Sequence, residues 1–209
     1  MPVKIGVQGG RGSFNDQAVN FYLQTHHVSP WEVVYLHTTE AVLRALAAKE
    51  IDYGQFALYN SRGGVVEETM QAIGHHRFQV VDWYSIPVIH HLMCRQDADI
   101  IGIATIMTHP QVLSQCRATL RERYPHLRLA QGEGDMIDPA RVAAALQNGE
   151  IPPSVATLGC QAIANVYGLK IIDSGLQDGG INETTFLLVS GPGPGCLKLQ
   201  KKRNSGAGK

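Results

Sequence analysis

Three short polar segments carry residue types able to hold and protonate a small oxygen-rich molecule. The first is Gly9-Gly10-Arg11-Gly12-Ser13, which stands between an apolar run and a helix-like stretch. Glycines let backbone N–H groups face outward, and a helix N-terminus carries partial positive charge, so this segment suits an anion. A plain tight turn with Ser13 as N-cap is the competing reading. The segment is neither a dinucleotide fingerprint, because Asn15 occupies the last glycine position, nor a P-loop, because no Gly-Lys-Ser/Thr follows. The second is Asn60-Ser61-Arg62-Gly63-Gly64, where an amide, a hydroxyl and a guanidinium follow a strand end. The third is Thr108-His109-Pro110-Gln111, with proline at the first turn of a helix, where its missing N–H costs nothing.

Other chemistries find no support. Gly-x-Ser-x-Gly and His-Glu-x-x-His are absent. The pairs His26-His27, His75-His76 and His90-His91 look suggestive, but neighbours on a strand point to opposite faces and rarely share a metal. No metal and no cofactor is expected. Cys94, Cys116, Cys160 and Cys196 are far apart and form no Cys-x-x-Cys pair, which reads as reduced, mostly buried thiols in the cytoplasm.

The elements that must position these segments alternate between strand and helix. Apolar runs at 3–8, 33–36 and 53–58 read as strands, and stretches at 13–25, 38–47 and 65–73 as helices. Residues 78–94 are long, mostly apolar and rich in β-branched side chains, with Pro87 inside, and read as two extended segments crossing near 85–87. A second alternating run follows, with strands at 103–108, 127–131, 155–158, 169–173 and 185–190 and helices after His109, Asp138 and Gly159. Repeated βαβ units predict an α/β fold of two lobes, each a mostly parallel sheet covered by helices, with ligands beyond the strands' carboxyl ends. The boundaries fall at 1–84 plus 185–192 for one lobe and 85–184 for the other, with 193–209 a flexible basic tail.

Size and composition agree. The chain has 209 residues, 44% of them hydrophobic and 17% charged, which suits a globular protein rather than a disordered one. Eighteen basic side chains balance eighteen acidic ones, with no dense basic stripe, which argues against nucleic acid as a partner. The N-terminus runs straight into a strand without a signal-peptide core, and the longest apolar stretch, 100–107, is too short to span a bilayer.

Taken in order, the polar segments resemble the prephenate dehydratase family. Ile5-Gly6-Val7-Gln8-Gly9-Gly10-Arg11-Gly12-Ser13-Phe14 is similar to that family's Leu-Gly-Pro-x-Gly-Thr-Phe opening, and Asn60-Ser61-x-Gly-Gly to its Glu-Asn-Ser-x-x-Gly loop. His109-Pro110-Gln111, followed by Gln115-Cys116, resembles Ser/Thr-His-Pro-Gln…Gln-Cys, and Tyr167-Gly168-Leu169 with Asn182-Glu183-Thr184-Thr185-Phe186 resembles Tyr-Gly-Leu…Asn-x-Thr-Arg-Phe. The resemblance spans about residues 3–190 and implies a fold similar to type II periplasmic binding proteins, with the active site in the interlobe cleft. It implies a metal-free lyase that converts prephenate to phenylpyruvate, water and carbon dioxide for phenylalanine biosynthesis. Carried over by position, Thr184 is the proton donor or hydrogen-bond partner of the leaving hydroxyl. Asn60, Ser61 and Gln111 orient the substrate, His109 lies at or behind the site, and Gly12 and Ser13 donate to a carboxylate. Phe186 and Thr185 complete the motif at the substrate. The family often carries a C-terminal phenylalanine-sensing ACT domain, for which this chain has no room, and a homodimer or homotetramer is implied.

Two departures bear on the substrate. Thr185 stands where the family has arginine, and Tyr59 where it has glutamate. A guanidinium on a carboxylate is worth about 1.5–3 kcal/mol, or roughly 10- to 150-fold in affinity. Arg62 or Arg11 is the expected replacement, while Glu133 and Asp135 are expected to add negative charge to the cleft. These departures motivate two alternatives within one class, a metal-independent hydrolase of a small cyclic ester such as a lactone, or a decarboxylase that leaves the hydroxyl in place. In the hydrolase, Glu133, Asp135 or His109 acts as base and Thr184 stabilises the oxyanion. A further alternative is a non-catalytic small-molecule binding protein.

Overall fold

A computed structural model of the chain describes residues 2–192; the side chains of Asp135 and Ile137, the basic tail at 193–209 and Cys196 within it lie outside that description. The first half supplies β1 (Val3–Val7), α1 (Phe14–Thr25), β2 (Trp31–Tyr35), α2 (Thr39–Ala47), β3 (Tyr53–Asn60), β4 (Gly64–Val65), α3 (Glu67–Ile73) and β5 (Gln79–Pro87). Beyond a crossing segment come β6 (His91–Cys94), β7 (Thr105–Thr108), α4 (Pro110–Arg123), β8 (Arg128–Gln131), α5 (Pro139–Gln147), β9 (Val155–Gly159), α6 (Gln161–Tyr167), β10 (Lys170–Ser174) and β11 (Glu183–Ser190).

The strands form two sheets. One has the order β2-β1-β3-β11-β5, with β4 beside β3, and the other β10-β6-β9-β7-β8. The α/β class and the pair of sheets joined by two crossing segments are as expected, but the sheets are mixed rather than mostly parallel. β1 runs parallel to β2 and β3, and β7 to β8 and β9. β11 runs antiparallel to both β3 and β5, and β6 antiparallel to β9 and β10. The physical reason is the double crossing. A strand entering the first sheet from the second must run back against β3, whereas a βαβ unit within one sheet keeps its direction. The chain leaves the first sheet after Pro87 and re-enters it at Glu183, so the paired strands overrun the boundaries at 85 and 184 drawn from the sequence.

Each sheet has its own core. Ile5, Val7, Leu23, Tyr53 and Leu188 pack together on the first, and Leu92, Ile106, Leu120 and Leu158 on the second. A fully buried aliphatic side chain of this kind contributes about 1.5–3 kcal/mol. Helix starts are written locally. Ser13 accepts from the Asp16 N–H, Thr38 from Ala41 and Asp138 from Ala140, and Pro110 and Pro139 sit in first turns. Gly9 and Gly12 adopt φ of +87° and +84°, which only glycine takes without strain. A Cβ on Gly12 would also lie 3.4 Å from Ile163 of α6, so this turn is where the first sheet's layer touches the second's.

Candidate functional site

The cleft between the sheets holds two joined chambers. One, of about 380 Å³, is lined by Asn60, Thr184 and Phe186 from the first sheet's side and by Gln111, Val112 and Gln115 of α4 from the other. The second, of about 440 Å³, is lined by residues 10–14, His37, His109, Asp138 and Cys160, among others. Phe14, His90, Gln111 and Val112 belong to both.

Thr184 sits on β11 directly opposite Asn60 of β3. Asn60 Nδ2 donates to Thr184 Oγ1 at 2.9 Å, to Asn182 Oδ1 at 2.8 Å and to the Glu183 carbonyl at 3.2 Å, while its Oδ1 accepts from the Arg62 and Gly63 N–H groups. The Asn60 amide therefore ties the loop after β3 to β11. Because Thr184 Oγ1 accepts from Asn60, and no protein acceptor takes its proton among the described residues, that proton is available to the chamber.

Asn60, Gln111, Thr184 and Phe186 thus meet in one chamber, while Gly12, Ser13 and His109 meet Gln111 in its neighbour. Ser61, Arg62 and Thr185 line neither. Ser61 is spent on β11, its N–H donating to the Glu183 carbonyl and its Oγ accepting from the Glu183 N–H. Arg62 leans the other way, with Nε 3.4 Å from the Ile181 carbonyl, and so does not replace the missing arginine. Strand alternation turns Thr185 away from Thr184 and Phe186; its Oγ1 lies 2.9 Å from Ser85 Oγ. Gly12 lines the second chamber, but its N–H is already taken by Asp16 Oδ2 at 2.8 Å. Glu133 lines neither chamber; among the described residues the acid that lines them is Asp138, whose Oδ1 caps α5. Asp135 lies outside the described side chains. Arg11 does line the second chamber and is, among the described residues, the Lys or Arg that lines either chamber.

The two cleft histidines differ in what they offer. His109 Nδ1 accepts from the Gln111 N–H at 3.0 Å, so its neutral ring carries hydrogen on Nε2 and presents a donor. His90 lies in the crossing between β5 and β6, 1% exposed, with Nε2 2.9 Å from Gln115 Oε1. A carbonyl oxygen only accepts, so Nε2 carries the hydrogen and Nδ1 keeps a lone pair, buried without a partner among the described residues. Burial pushes the His90 pKa below its ordinary value, against the Gln115 hydrogen bond, and the ring stays neutral. Gln115, whose Oε1 takes that hydrogen bond, lines the first chamber. Cys160 is no nucleophile: burial raises its thiol pKa, and Sγ donates to the Gly12 carbonyl.

Sequence reasoning passed over His90, Gln115, His37 and Asp138 as site residues. Gln115 had a signal, since it follows Gln111 by four residues and so shares a helix face. His90 was dismissed with its neighbour as a poor metal pair. The two do diverge, His91 Nδ1 pairing with Ser174 Oγ at 2.8 Å, and that divergence is what frees His90 for the cleft.

Comparison with known proteins places these features. The family model described as prephenate dehydratase matches residues 5–193. The chain is 24% identical over 187 residues to the bifunctional chorismate mutase/prephenate dehydratase of Enterobacter agglomerans, covering 90% of this chain and 46% of that protein. It is 27% identical over 188 residues to arogenate dehydratase/prephenate dehydratase 2 of Arabidopsis thaliana, again covering 90% and 46%. The chain thus spans about half the length of these relatives. Among solved structures, it superimposes on prephenate dehydratase from Arthrobacter aurescens, in complex with L-Phe, with TM-score 0.78 at 24% identity, covering 91% of this chain and 61% of that one. It also superimposes on GqqA, described as a novel type of quorum quenching acylase, with TM-score 0.74 at 20% identity, covering 91% and 64%. These two likenesses are of fold alone.

Proposed function

The chain belongs to the prephenate dehydratase family, and from that premise we propose that it is a dehydratase-like lyase converting prephenate to phenylpyruvate, water and carbon dioxide in the cleft. In that reaction the bond from the ring to its carboxylate breaks and releases carbon dioxide. The electron pair passes through the ring, the C–O bond to the ring hydroxyl breaks, and the departing hydroxide takes up one proton to become water. Hydroxide leaves poorly, so a positioned donor is worth about 10²–10⁴ in rate. The observation that carries the reading is the available Thr184 proton, oriented by Asn60. Gln111 and Gln115 on the facing wall supply amide groups to the ring substituents. Phe186 and Phe14 give the ring apolar walls. Purified protein incubated with prephenate is expected to produce phenylpyruvate, followed by its absorbance; folded protein without turnover removes the reading. A homo-oligomer and a cytoplasmic location belong to the same proposal. No helix among the described residues is long and apolar enough to cross a membrane.

One observation favours a second reading, metal-independent hydrolysis of a neutral cyclic ester or a related acyl compound. Among the described residues the first chamber's lining contains no Lys or Arg to hold an anion; a protein of the same fold is described as an acylase. Here Thr184 donates to the oxyanion and the base is His90, since His109 is committed as a donor. Parallel incubation with neutral lactones and with prephenate, compared by product mass, separates the two.

A further inference from the structure

Among the described residues no Lys or Arg lines the first chamber, yet prephenate brings two carboxylates, and the arginine that the family motif places beside Thr184 is a threonine turned toward Ser85. The second chamber has the opposite character. Arg11 lines it, with His37 and His109. His37 is held at φ +64°, in the region that non-glycine residues rarely enter, with its ring beside Gly10. The first turns of α1, α4 and α5 all open onto the same space, contributing Phe14, Gln111 and Ala140 to its wall, so three helix N-termini add partial positive charge. Their caps, Ser13, His109 and Asp138, face inward at the same place. Asp138 is the opposing charge, and it is engaged at Oδ1 by the Ala140 N–H. His90, almost wholly buried with an unpartnered ring nitrogen, forms the wall between the two chambers.

We propose that the second chamber is the carboxylate subsite, and that it takes the pyruvyl carboxylate of the substrate while the ring carboxylate enters the cation-free chamber. The inference rests on the dehydratase reading and gives it an orientation. The pyruvyl carboxylate keeps its charge through the reaction, so binding it to Arg11 and the helix N-termini stabilises ground and transition states alike. The ring carboxylate loses its charge as carbon dioxide departs. A cation on it would stabilise the ground state more than the transition state and slow the reaction, and a chamber that strips its water without supplying a cation does the reverse. The prephenate ring bears the pyruvyl arm para to the hydroxyl. The ring carboxylate shares that carbon, so both point away from Thr184 when the hydroxyl meets it, and the pyruvyl carboxylate, carried two carbons further out, is the one with the reach to pass His90 and Gln111 into the second chamber. Recognition of the anion is thus assigned to Arg11 and His37 and not to the motif's arginine position, which faces Ser85.

The test compares Arg11→Gln and His37→Asn, the latter keeping a residue that tolerates positive φ, with Arg44→Gln, a distant surface change. Kinetics with prephenate and calorimetric binding of phenylpyruvate are measured, with thermal melting to confirm the fold. The expected result is a rise of about tenfold in KM and a similar loss of phenylpyruvate affinity for each cleft variant, with kcat within threefold and Arg44→Gln unchanged. Turnover with KM and affinity unmoved in both cleft variants overturns the subsite and leaves the Thr184 reading standing. Wild-type protein that binds phenylpyruvate without turning over prephenate, and loses that binding in Arg11→Gln, overturns the dehydratase reading and leaves the carboxylate subsite standing.

Discussion

Thr184→Val is the most direct perturbation of the proposed chemistry, because it removes one oxygen at nearly constant shape. Its structural cost can be worked from the contacts. Asn60 Nδ2 has two hydrogens and three acceptors within 3.2 Å, so after the hydroxyl is gone Asn182 Oδ1 and the Glu183 carbonyl still satisfy both. Little buried polarity is orphaned, and the expected loss of stability is about 1 kcal/mol, at the level of one neutral hydrogen bond. For a chain of this size that lowers Tm by roughly 2–4 °C. The chemical cost is larger. If the Thr184 proton assists hydroxide departure, its removal lowers kcat by about 10²–10⁴, whereas KM, set by ring and carboxylate contacts, stays within a few-fold. Thr184→Ser restores the hydroxyl without the methyl and is expected to recover activity to within about tenfold of wild type. The assay is phenylpyruvate absorbance at saturating prephenate, with melting curves on the same samples. A folded Thr184→Val that keeps kcat within threefold would refute the role given to that proton, since no neighbouring donor occupies the same point on β11.

Further outcomes follow from the same contacts. Burial lowers the pKa of His90 and of His91 below the ordinary 6.5, so in the acid range the unfolded chain binds more protons than the folded one. Their stabilisation is complete above pH 6.5 and falls as pH drops from 6.5 toward the folded values, by up to about 1.4 kcal/mol per pH unit for His90 alone. Urea titrations between pH 7.5 and 5 check this, and His90→Gln should flatten the slope; an unchanged slope would contradict the burial argument. Thr185→Arg restores the family's residue, but on the face that meets Ser85, so KM for prephenate should shift less than threefold, and a tenfold gain would mean that the position reaches the substrate. Asp16→Ala leaves the Gly12 N–H, the Tyr35 hydroxyl and an Asn20 amide hydrogen without their shared acceptor, each now 2.8 Å away. It should cost ~3 kcal/mol in urea unfolding and should weaken carboxylate binding as the glycine turn loosens.

The sequence carried the elements and most of the site because both are written locally. Strand and helix alternation, caps at Ser13, Thr38 and Asp138, and prolines in the first turns of α4 and α5 need only neighbouring residues to be read. The convergence of Asn60 and Gln111 could be expected because Asn60 ends β3 and Gln111 follows β7, where open α/β sheets place their ligands, whereas Thr184, at the start of β11, joins them through its antiparallel pairing with Asn60. The sheets' mixed direction was harder to read, since it depends on β11 pairing with β3 across more than a hundred residues. Arg62 illustrates the same difficulty at the scale of one side chain. It neighbours Asn60 in sequence, but the Arg62 and Gly63 N–H groups both donate to Asn60 Oδ1 and curl the loop, and the guanidinium ends beside Ile181. His37 gave no signal at all, because a positive φ outside glycine follows from the path between β2 and α2 and not from the residue type.

The two departures from the family motif therefore have different physical meanings from those that residue types alone imply. A missing arginine suggests a lost carboxylate anchor, and a missing glutamate a lost acid. Yet Tyr59 is 45% exposed and Thr185 faces Ser85, so both positions lie on the outward side of the β3–β11 pair while Asn60 and Thr184 line the cleft. Period-two alternation keeps the hydrogen-bonding residues in the chamber and turns the substituted ones out of it. The proposed donor pair is thus insulated from the substitutions, and what they change lies in the surroundings of the strand pair. On that geometry the chemistry and the anion recognition are separable properties of the cleft. Variants at Thr184 should alter kcat, variants at Arg11 should alter KM, and a double variant should show the product of the two effects, because the residues act on opposite ends of the substrate and share no hydrogen-bond partner.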